Sequence, residues 1–374
     1  MTSVCNESNC TRFKTAVLLF KCFYGWSPST ATIEELVLGM GKDASTFMEE
    51  VVTTKDDGEV LVIEVDGKAT PTATEDELTK RRGKRHSKKC SCGCQRHRAK
   101  ITRGKRQRRK KGDKSKNGRS ITLVVMYTLK KGEDGKLHGP LNKKVWGSYA
   151  PRKVMLNWAR EQATKRGFPP STNKRIHIVI DGEKCLEDGL RKHFPTASFA
   201  LDIRHLESKI WKTGRTFYPE GSQELEHWVE ERKTLLYSGQ AEFLLVGLEE
   251  LYQTLSKRAK RDKNKREQLT KLIEYMKKRL NMMNYKQLLE EDLVIASGIV
   301  EGAARYVVGE RMDCSGMRWI PERGEALLRL RCIELNGDWD SFFDWGYQRW
   351  LKKLRQAKRV VIKTNEPLEL PVTT

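Results

Sequence analysis

The sequence predicts an α/β fold, and two patterns carry that prediction. Runs of β-branched and apolar residues, typical of buried strands, lie within residues 60–201, and helical periodicity dominates after them. The strand runs are Val60–Val65, Ser120–Leu129, Arg175–Ile180 and Ala197–Leu201, with Lys144–Tyr149 as a further candidate. This order predicts a sheet that is followed along the chain by a long helical block.

Helices are predicted on both sides of the strands. From Leu206 to Leu293 the pattern is helical, with an apolar face at Leu269, Leu272, Ile273, Met276 and Leu280. Further helices are expected at Thr15–Tyr24, Thr32–Leu38, Val154–Arg166, Ala296–Val308 and Gly324–Asn336. The first two of these form either a helix-turn-helix remnant or an ordinary pair of packing helices, and their weak pattern favours the packing pair.

Composition indicates a folded protein of two or three structural units, since the chain has 374 residues, 38% of them hydrophobic, and nine Trp. No run of 18 or more apolar residues occurs, which argues against a membrane-spanning helix. The nine Cys lack framework-like spacing over most of the chain. Reduced thiols and a cytoplasmic location are therefore expected.

One segment, the basic arm of residues 80–119, carries most of the positive charge. It contains 20 Lys and Arg against one acid, which is +19 of the formal net charge of +23, so the rest carries +4. A solvated linker is the alternative, but nothing acidic nearby in sequence neutralises the run, which favours a nucleic-acid partner. The side chains expected to contact DNA phosphates there include Arg106, Arg108, Arg109, Lys110 and Lys111.

The basic arm also contains His86, Cys90, Cys92, Cys94 and His97. A structural zinc site needs four ligands in tetrahedral arrangement, and Cys-x-Cys-x-Cys is not a usual zinc spacing. We therefore expect zinc to be absent or weakly bound, with reduced thiols as the favoured alternative.

Two carboxylates end predicted strands, and a third acid lies on a predicted helix. Asp66 and Asp181 each follow a buried strand and precede a glycine, while Glu301 lies in the helix that starts near Ala296. An Asp-Gly pair alone is most often turn chemistry. Two of them at strand ends, where open sheets bind ligands, together with a helical Glu, favour a site.

Three carboxylates suit metal-dependent phosphodiester chemistry. Mg²⁺ prefers oxygen ligands and binds through a few carboxylates, water and substrate phosphate. Two such ions about 3.5–4 Å apart stabilise both the attacking and the leaving oxygen of an in-line displacement. Asp66, Asp181 and Glu301 are thus expected to be catalytic and to bind Mg²⁺ or Mn²⁺.

Five short motifs occur together in one order: Val-Ile-Glu-Val-Asp66-Gly, Val-Ile-Asp181-Gly, Asp202-Ile-Arg-His205, Ser297-Gly-Ile-Val-Glu301-Gly and Cys314-Ser-Gly-Met-Arg-Trp319. In this combination the chain resembles the DDE transposases of bacterial insertion sequences, from about Ala44 to about Trp345. The resemblance is to the Kra-type group and, more loosely, to the Mutator-like superfamily. Residue by residue, Asp66, Asp181 and Glu301 match the first, second and third acids.

The resemblance implies an RNase H-like mixed sheet, a large helical insertion between the second Asp and the Glu, and metal-dependent DNA cutting and joining. The partners implied are transposon ends and target DNA in a bacterial, nucleoid-associated setting, with a homo-oligomer on DNA left open. The expected units are 1–55 (short helical region), 56–205 (first part of the core, interrupted by the basic arm), 206–293 (insertion), 294–362 (C-terminal core helices) and 363–374 (tail). Only 65 residues precede Asp66, fewer than in family members, which the notion of a truncated or an internally started copy would explain.

Asp202 competes with Asp181 for the place of the second acid, because Asp202 also ends a predicted strand. The stronger strand before Asp181 favours Asp181. In the Mutator-like pattern, a Cys or Asp followed by His lies just downstream of that acid. Asp202 and His205 fit that slot and are expected to be supporting residues.

Further DNA contacts are expected after the Glu301 helix. Arg311 and Arg318 could contact phosphates, and Trp319 could stack on an unpaired base. The alternative, weighed equally, is a buried Trp with solvated arginines.

The function predicted is a DNA transposase that cleaves transposon ends and transfers strands into target DNA. The alternatives are a catalytically inactive or repurposed nucleic-acid-binding protein derived from a transposase, and a stand-alone nuclease of the same fold.

Overall fold

The computed structural model describes residues 8–50, 58–75, 118–169, 173–313 and 318–364. The basic arm, with its Arg and Lys residues and its His and Cys cluster, lies outside these ranges apart from Gly118 and Arg119. In the described ranges, the helices are either too short or too polar to cross a membrane.

A five-stranded mixed sheet forms the centre of the fold. Its order is β3-β2-β1-β4-β5, with β2 antiparallel to both β1 and β3, and β4 parallel to both β1 and β5. The strands are β1 Val60–Thr70, β2 Arg119–Lys131, β3 Leu137–Ser148, β4 Arg175–Ile180 and β5 Ser198–Leu201. The fold is therefore α/β with a mixed sheet, and the predicted strand runs are confirmed.

Two strands exceed their predicted length by five residues or more. β1 continues past Val65 to Thr70, because β2 pairs with it along its whole length, from Val60 opposite Leu129 to Thr70 opposite Arg119. Asp66 therefore lies inside a strand and not after it, so the prediction of a strand end there was wrong. β3 begins at Leu137 because its first residues pair with the end of β2.

Three helices lie in the sheet-forming half of the chain after the N-terminal pair. They are α3 Arg152–Lys165, α4 Lys184–His193 and α5 Ile203–Gly214. The predicted helix at Val154–Arg166 is confirmed by α3. The sequence did not predict α4, whose buried residues are only Leu186, Glu187 and Leu190, too few to stand out from its charged residues.

The block between β5 and Glu301 is helical, as predicted. After α5 it contains α6 Gln223–Tyr237, α7 Ala241–Thr254, α8 Lys263–Lys277 and α9 Tyr285–Glu290. The predicted apolar face is buried along α8, where Leu269, Leu272, Ile273 and Met276 face the core. These helices form a helical insertion between the sheet and the helix of Glu301.

The chain then returns to the sheet. α10 Gly298–Ala303 continues through a π-helical segment, Ala304–Gly309, into the short helix α11 Glu310–Met312. α12 Pro321–Leu335 and the long helix α13 Trp339–Thr364 follow.

The N-terminal helices are α1 Ser8–Tyr24 and α2 Thr30–Glu50. α2 packs against α12 at Gly41, where an added Cβ would lie 2.6 Å from the Cα of Ala326 and 2.8 Å from its carbonyl oxygen. α2 is thus a packing helix, held close to α12 by the absence of a side chain at position 41.

We predict opposite effects of alanine at the two nearby glycines of α2. Gly41→Ala should lower stability by about 1–3 kcal/mol, because the new methyl group forces two helix backbones apart. Gly39→Ala, where an added Cβ meets nothing within 4 Å, should raise stability by about 1 kcal/mol through helix propensity. Thermal unfolding of the two variants tests this, and equal melting shifts would contradict the close approach.

Candidate active site

Asp66 and Asp181 lie at matching levels of two neighbouring strands. The parallel pairing of β1 and β4 ends at Glu64 opposite Val179, and each acid lies two residues further along its own chain. Asp66 remains on β1, while Asp181 follows the last residue of β4. The two carboxylates therefore approach the same end of the sheet.

Glu301 joins these two acids from the first turn of α10. Burial raises the pKa of Asp66, and the charge of Asp181 raises it further. Burial also raises the pKa of Glu301, with added contributions from the charges of Asp202 and Asp66. Asp181 thus raises the pKa of Asp66, and Asp66 raises the pKa of Glu301. Asp66 is therefore close enough to both of the other acids to interact with them electrostatically.

A buried carboxylate holds the Glu301 helix against the sheet. Glu64, on central strand β1, has 0% exposed surface. One of its oxygens accepts from the Tyr127 hydroxyl at 2.8 Å, and the other accepts from the Val300 backbone N–H, also at 2.8 Å. Because Val300 directly precedes Glu301, this bond fixes the height of Glu301 relative to Asp66.

Burial sets the protonation of this anchor. The pKa of Glu64 is raised to about 7 by burial, against the opposing effect of its hydrogen bonds from Val300 and Tyr127. The charge of Asp202 also raises it. Glu64 therefore changes charge near neutral pH, although water does not reach it.

Asp202 is a second buried anchor for the same segment. It is 1% exposed and caps α5 by accepting from the Arg204 N–H at 2.9 Å. Its other carboxylate oxygen accepts from the Ser297 hydroxyl, at the start of the Glu301 segment. Both oxygens are thus engaged by the protein, which favours the supporting role expected for Asp202 over that of a second metal ligand.

The turn after β4 is held by the helical insertion. Asp181 accepts from the Glu183 N–H at 2.9 Å through its side chain, and from the Tyr275 hydroxyl at 2.6 Å through its backbone oxygen. Gly182 has φ +83°, and a side chain there would overlap that of Arg279. Glycine at this position therefore permits both the left-handed turn and the close approach of Arg279.

Cationic groups surround the acids. Burial raises the pKa of Asp66, and His205 and Lys68 partly oppose that rise. Arg204 and His205 likewise oppose part of the rise in the pKa of Glu301. Arg152 pairs with Glu183, and the charge of Asp181 contributes to the raised pKa of Arg152. His205 is exposed and influences the pKa of both Asp66 and Glu301, and its supporting role remains a prediction.

The donor set suits a hard divalent cation, because it consists of carboxylates whose mutual repulsion such an ion would relieve. Within the described ranges, however, no three His, Cys, Asp or Glu side chains are grouped closely enough to hold a metal ion. Binding one ion by all three acids would therefore require them to come closer together than they lie here.

Of the two alternatives for Trp319, a stacking role and a buried ring, the structure supports the buried ring. Trp319 is 8% exposed, its indole N–H donates to the Met312 carbonyl at 3.1 Å, and its backbone pairs with the segment from Pro71 to Ala73. A ring packed in the core in this way cannot stack on a base. Arg311 and Arg318 are half-buried near it, and their DNA contacts remain a prediction.

Several residues of this site were missed from the sequence. Glu64 left a signal, since a charged residue within Val60–Val65 has to be paired if the strand is buried on both faces. Ser297, Tyr275 and Arg279 left none, because each acts across more than 90 residues.

Comparison with protein-family models and with curated protein sequences gives no match to this chain. Among solved structures, the chain is similar to the Drosophila P element transposase strand transfer complex, at 12% sequence identity and a TM-score of 0.36. The alignment covers 89% of this chain and 92% of that chain. Likeness at this level is too low to assign a function, so any assignment has to come from the residues of this chain.

We predict that Glu64 makes stability depend on pH. Its pKa is about 7 in the folded chain and near 4.5 in the unfolded one, so its stabilising contribution is complete below pH 4.5 and is lost as pH rises through 7. Glu64→Gln cannot ionise, and Tyr127 can reverse its hydrogen bond to accept from the new amide. From pH 4.5 to 8, wild type should lose about 3 kcal/mol relative to Glu64→Gln in denaturant unfolding.

The exposed Glu59→Gln, at the edge of the same strand, is the matched control. Parallel pH profiles for wild type and Glu64→Gln would show that Glu64 keeps one protonation state throughout.

Proposed function

We propose that this protein is a DNA transposase of the DDE type, which cleaves DNA at transposon ends and joins the freed ends to target DNA. The observation that carries the proposal is the convergence of Asp66, Asp181 and Glu301 at one end of a mixed sheet, with Glu301 held there by two buried carboxylates. We further propose that the sheet belongs to an RNase H-like core and that the helical block is an insertion in this core.

In this proposal Asp66, Asp181 and Glu301 hold Mg²⁺ or Mn²⁺. The ions would supply Lewis acidity and an activated water or 3′-hydroxyl for phosphodiester exchange. The protein's own part is to orient: Glu64 and Asp202 fix the Glu301 segment, and Tyr275 and Arg279 fix the Asp181 turn. Fixing the backbone of both segments would lower the entropy cost of bringing the reacting groups together.

The cations around the acids would bind the substrate. Lys68, Arg152, Arg204 and His205 lie close enough to influence the acids, and a phosphodiester entering the site would meet them. The basic arm would add non-specific affinity through its phosphate contacts, together with Arg311 and Arg318.

Two other functions remain as outcomes of the same experiments. A repurposed nucleic-acid-binding protein would bind DNA without cutting it, and a stand-alone nuclease would cut without joining. Incubating the full chain with supercoiled plasmid and labelled oligonucleotides from the DNA flanking the gene separates the three, because only a transposase makes plasmid-joined label.

We predict that all three acids are needed for cleavage. Asp66→Asn, Asp181→Asn and Glu301→Gln should each reduce Mn²⁺-dependent plasmid nicking by more than about 100-fold, since even residues that only support metal ligands are worth about 10–100-fold. DNA affinity should be retained, and Mg²⁺ should raise the melting temperature of wild type more than that of the variants. Asp188→Asn, at an exposed acid of α4, is the control. Wild-type nicking by any of the three variants would remove that residue from the mechanism.

Substitutions of Asp202 and of Asp181 should have different effects on nicking and on metal response. Asp202→Asn keeps an oxygen for the Arg204 N–H and an amide for Ser297, so we expect a nicking rate within about 10-fold of wild type and full metal response. His205→Ala should likewise weaken nicking without abolishing the effect of Mg²⁺ on melting. If Asp202→Asn abolishes metal response while Asp181→Asn retains it, the second acid is Asp202.

A further inference from the structure

A second basic segment lies in the described part of the chain, within the helical insertion. Residues 255–279 contain eleven Lys and Arg against three acids, a net charge of +8. Outside this segment and the basic arm, the remaining residues sum to −4. Positive charge is therefore concentrated in two places, of which the basic arm carries the larger share.

The C-terminal end of the second basic segment contacts the candidate active site. Tyr275 donates its hydroxyl proton to the backbone oxygen of Asp181 at 2.6 Å. Two cations lie over its ring: Lys209 of α5, with Nζ 4.3 Å from the ring centroid, and Arg279, with Cζ 4.2 Å from it. Lys209 and Arg279 therefore both contact Tyr275, the side chain that is hydrogen-bonded to Asp181.

From there the positive charge continues along α5 and α8. Lys209 contacts Tyr275 near the end of α8, and Lys212, one turn further along α5, contributes after Lys271 and Lys263 to the lowered pKa of Glu267 in α8. Lys212 and Lys263 are exposed at the far end, and Lys260 extends the row beyond α8. We call this row (Lys209, Lys212, Lys260, Lys263 and Arg279) the insertion track.

The insertion track has few anions to balance it. Burial and repulsion from Arg279 and Lys212 lower the pKa of Lys209, which indicates cations crowded on one face. Neighbouring cations serve packing or pairing, such as Lys265 over Phe217 and Arg261 beside Asp262. In the described ranges, no salt bridge engages Lys209, Lys212, Lys260 or Lys263. Lysines that outnumber the acids near them and form no ion pair are the electrostatic signature of a phosphate-binding surface.

We propose that the insertion track binds the backbone of duplex DNA and leads it to Asp181. The 15 residues of α8 span about 22 Å at about 1.5 Å per residue, which matches the rise of roughly six base pairs at about 3.4 Å each. The proposal rests on the proposed function for the identity of the ligand, and it places a duplex on the insertion in addition to the basic arm.

The test uses the full chain and a fluorescein-labelled 20-base-pair duplex. The track variant is Lys212→Gln with Lys260→Gln and Lys263→Gln, all at exposed positions away from the acids. The control variant makes the same charge change at Lys131, Lys136 and Lys143, which are exposed around the β2–β3 hairpin at the opposite edge of the sheet. Affinity is measured by anisotropy between 50 and 300 mM KCl.

The track variant should bind more weakly, and the slope of log affinity against log salt should shrink by up to about 3, since each phosphate contact contributes about 0.9. The control should keep the wild-type slope. Equal slopes in the two variants, with the melting temperature of each unchanged, would overturn the proposal.

Acetylation of wild-type lysines with and without the duplex gives a second measurement that needs no variant. Protection of Lys212, Lys260 and Lys263 by DNA supports the track, and their full reactivity in the complex overturns it. Plasmid nicking separates the two proposals. Binding through the track without cleavage would refute only the enzyme, whereas cleavage with unchanged binding by the track variant would refute only the track.

Discussion

The arrangement of the acids depends on one buried carboxylate, Glu64. It lies on the central strand with no exposed surface, so removing it from water has to be offset by hydrogen bonds. Those bonds come from Tyr127 on the neighbouring strand and from the Val300 N–H, so one side chain ties together two strands and the Glu301 helix. An apolar residue at position 64 would fill the core equally well but would leave the Val300 N–H without this acceptor.

Asp202 applies the same constraint from the other side of the segment. It ends β5, caps α5 and bonds to Ser297, which links the sheet edge, the beginning of the helical insertion and the return to Glu301. Two buried acids thus determine where an exposed acid lies. This division explains why Glu301, which is exposed, and the half-buried Asp66 and Asp181 can tolerate mutual repulsion, because other residues set the backbone positions of Glu301 and Asp181.

The helical insertion contributes to the site as well as to the core. Tyr275 and Arg279, near the end of α8, bind the backbone of the Asp181 turn, so the insertion holds Asp181 in place. The same two residues begin the insertion track with Lys209. A single helix end therefore connects the position of Asp181 with the surface that is proposed to bind DNA.

The sequence by itself determined the α/β class, the core strands and the helical character of the insertion, because β-branched runs and three-to-four periodicity are local properties of the chain. It also singled out Asp66, Asp181 and Glu301. Only the tertiary structure decided that β1 runs on through Asp66, since that depends on pairing with β2, and that Trp319 is buried against Met312 and the segment after β1. The roles of Glu64 and Ser297 and the alignment of Lys209 with Arg279 join residues far apart along the chain, and such contacts leave no periodic trace in the sequence.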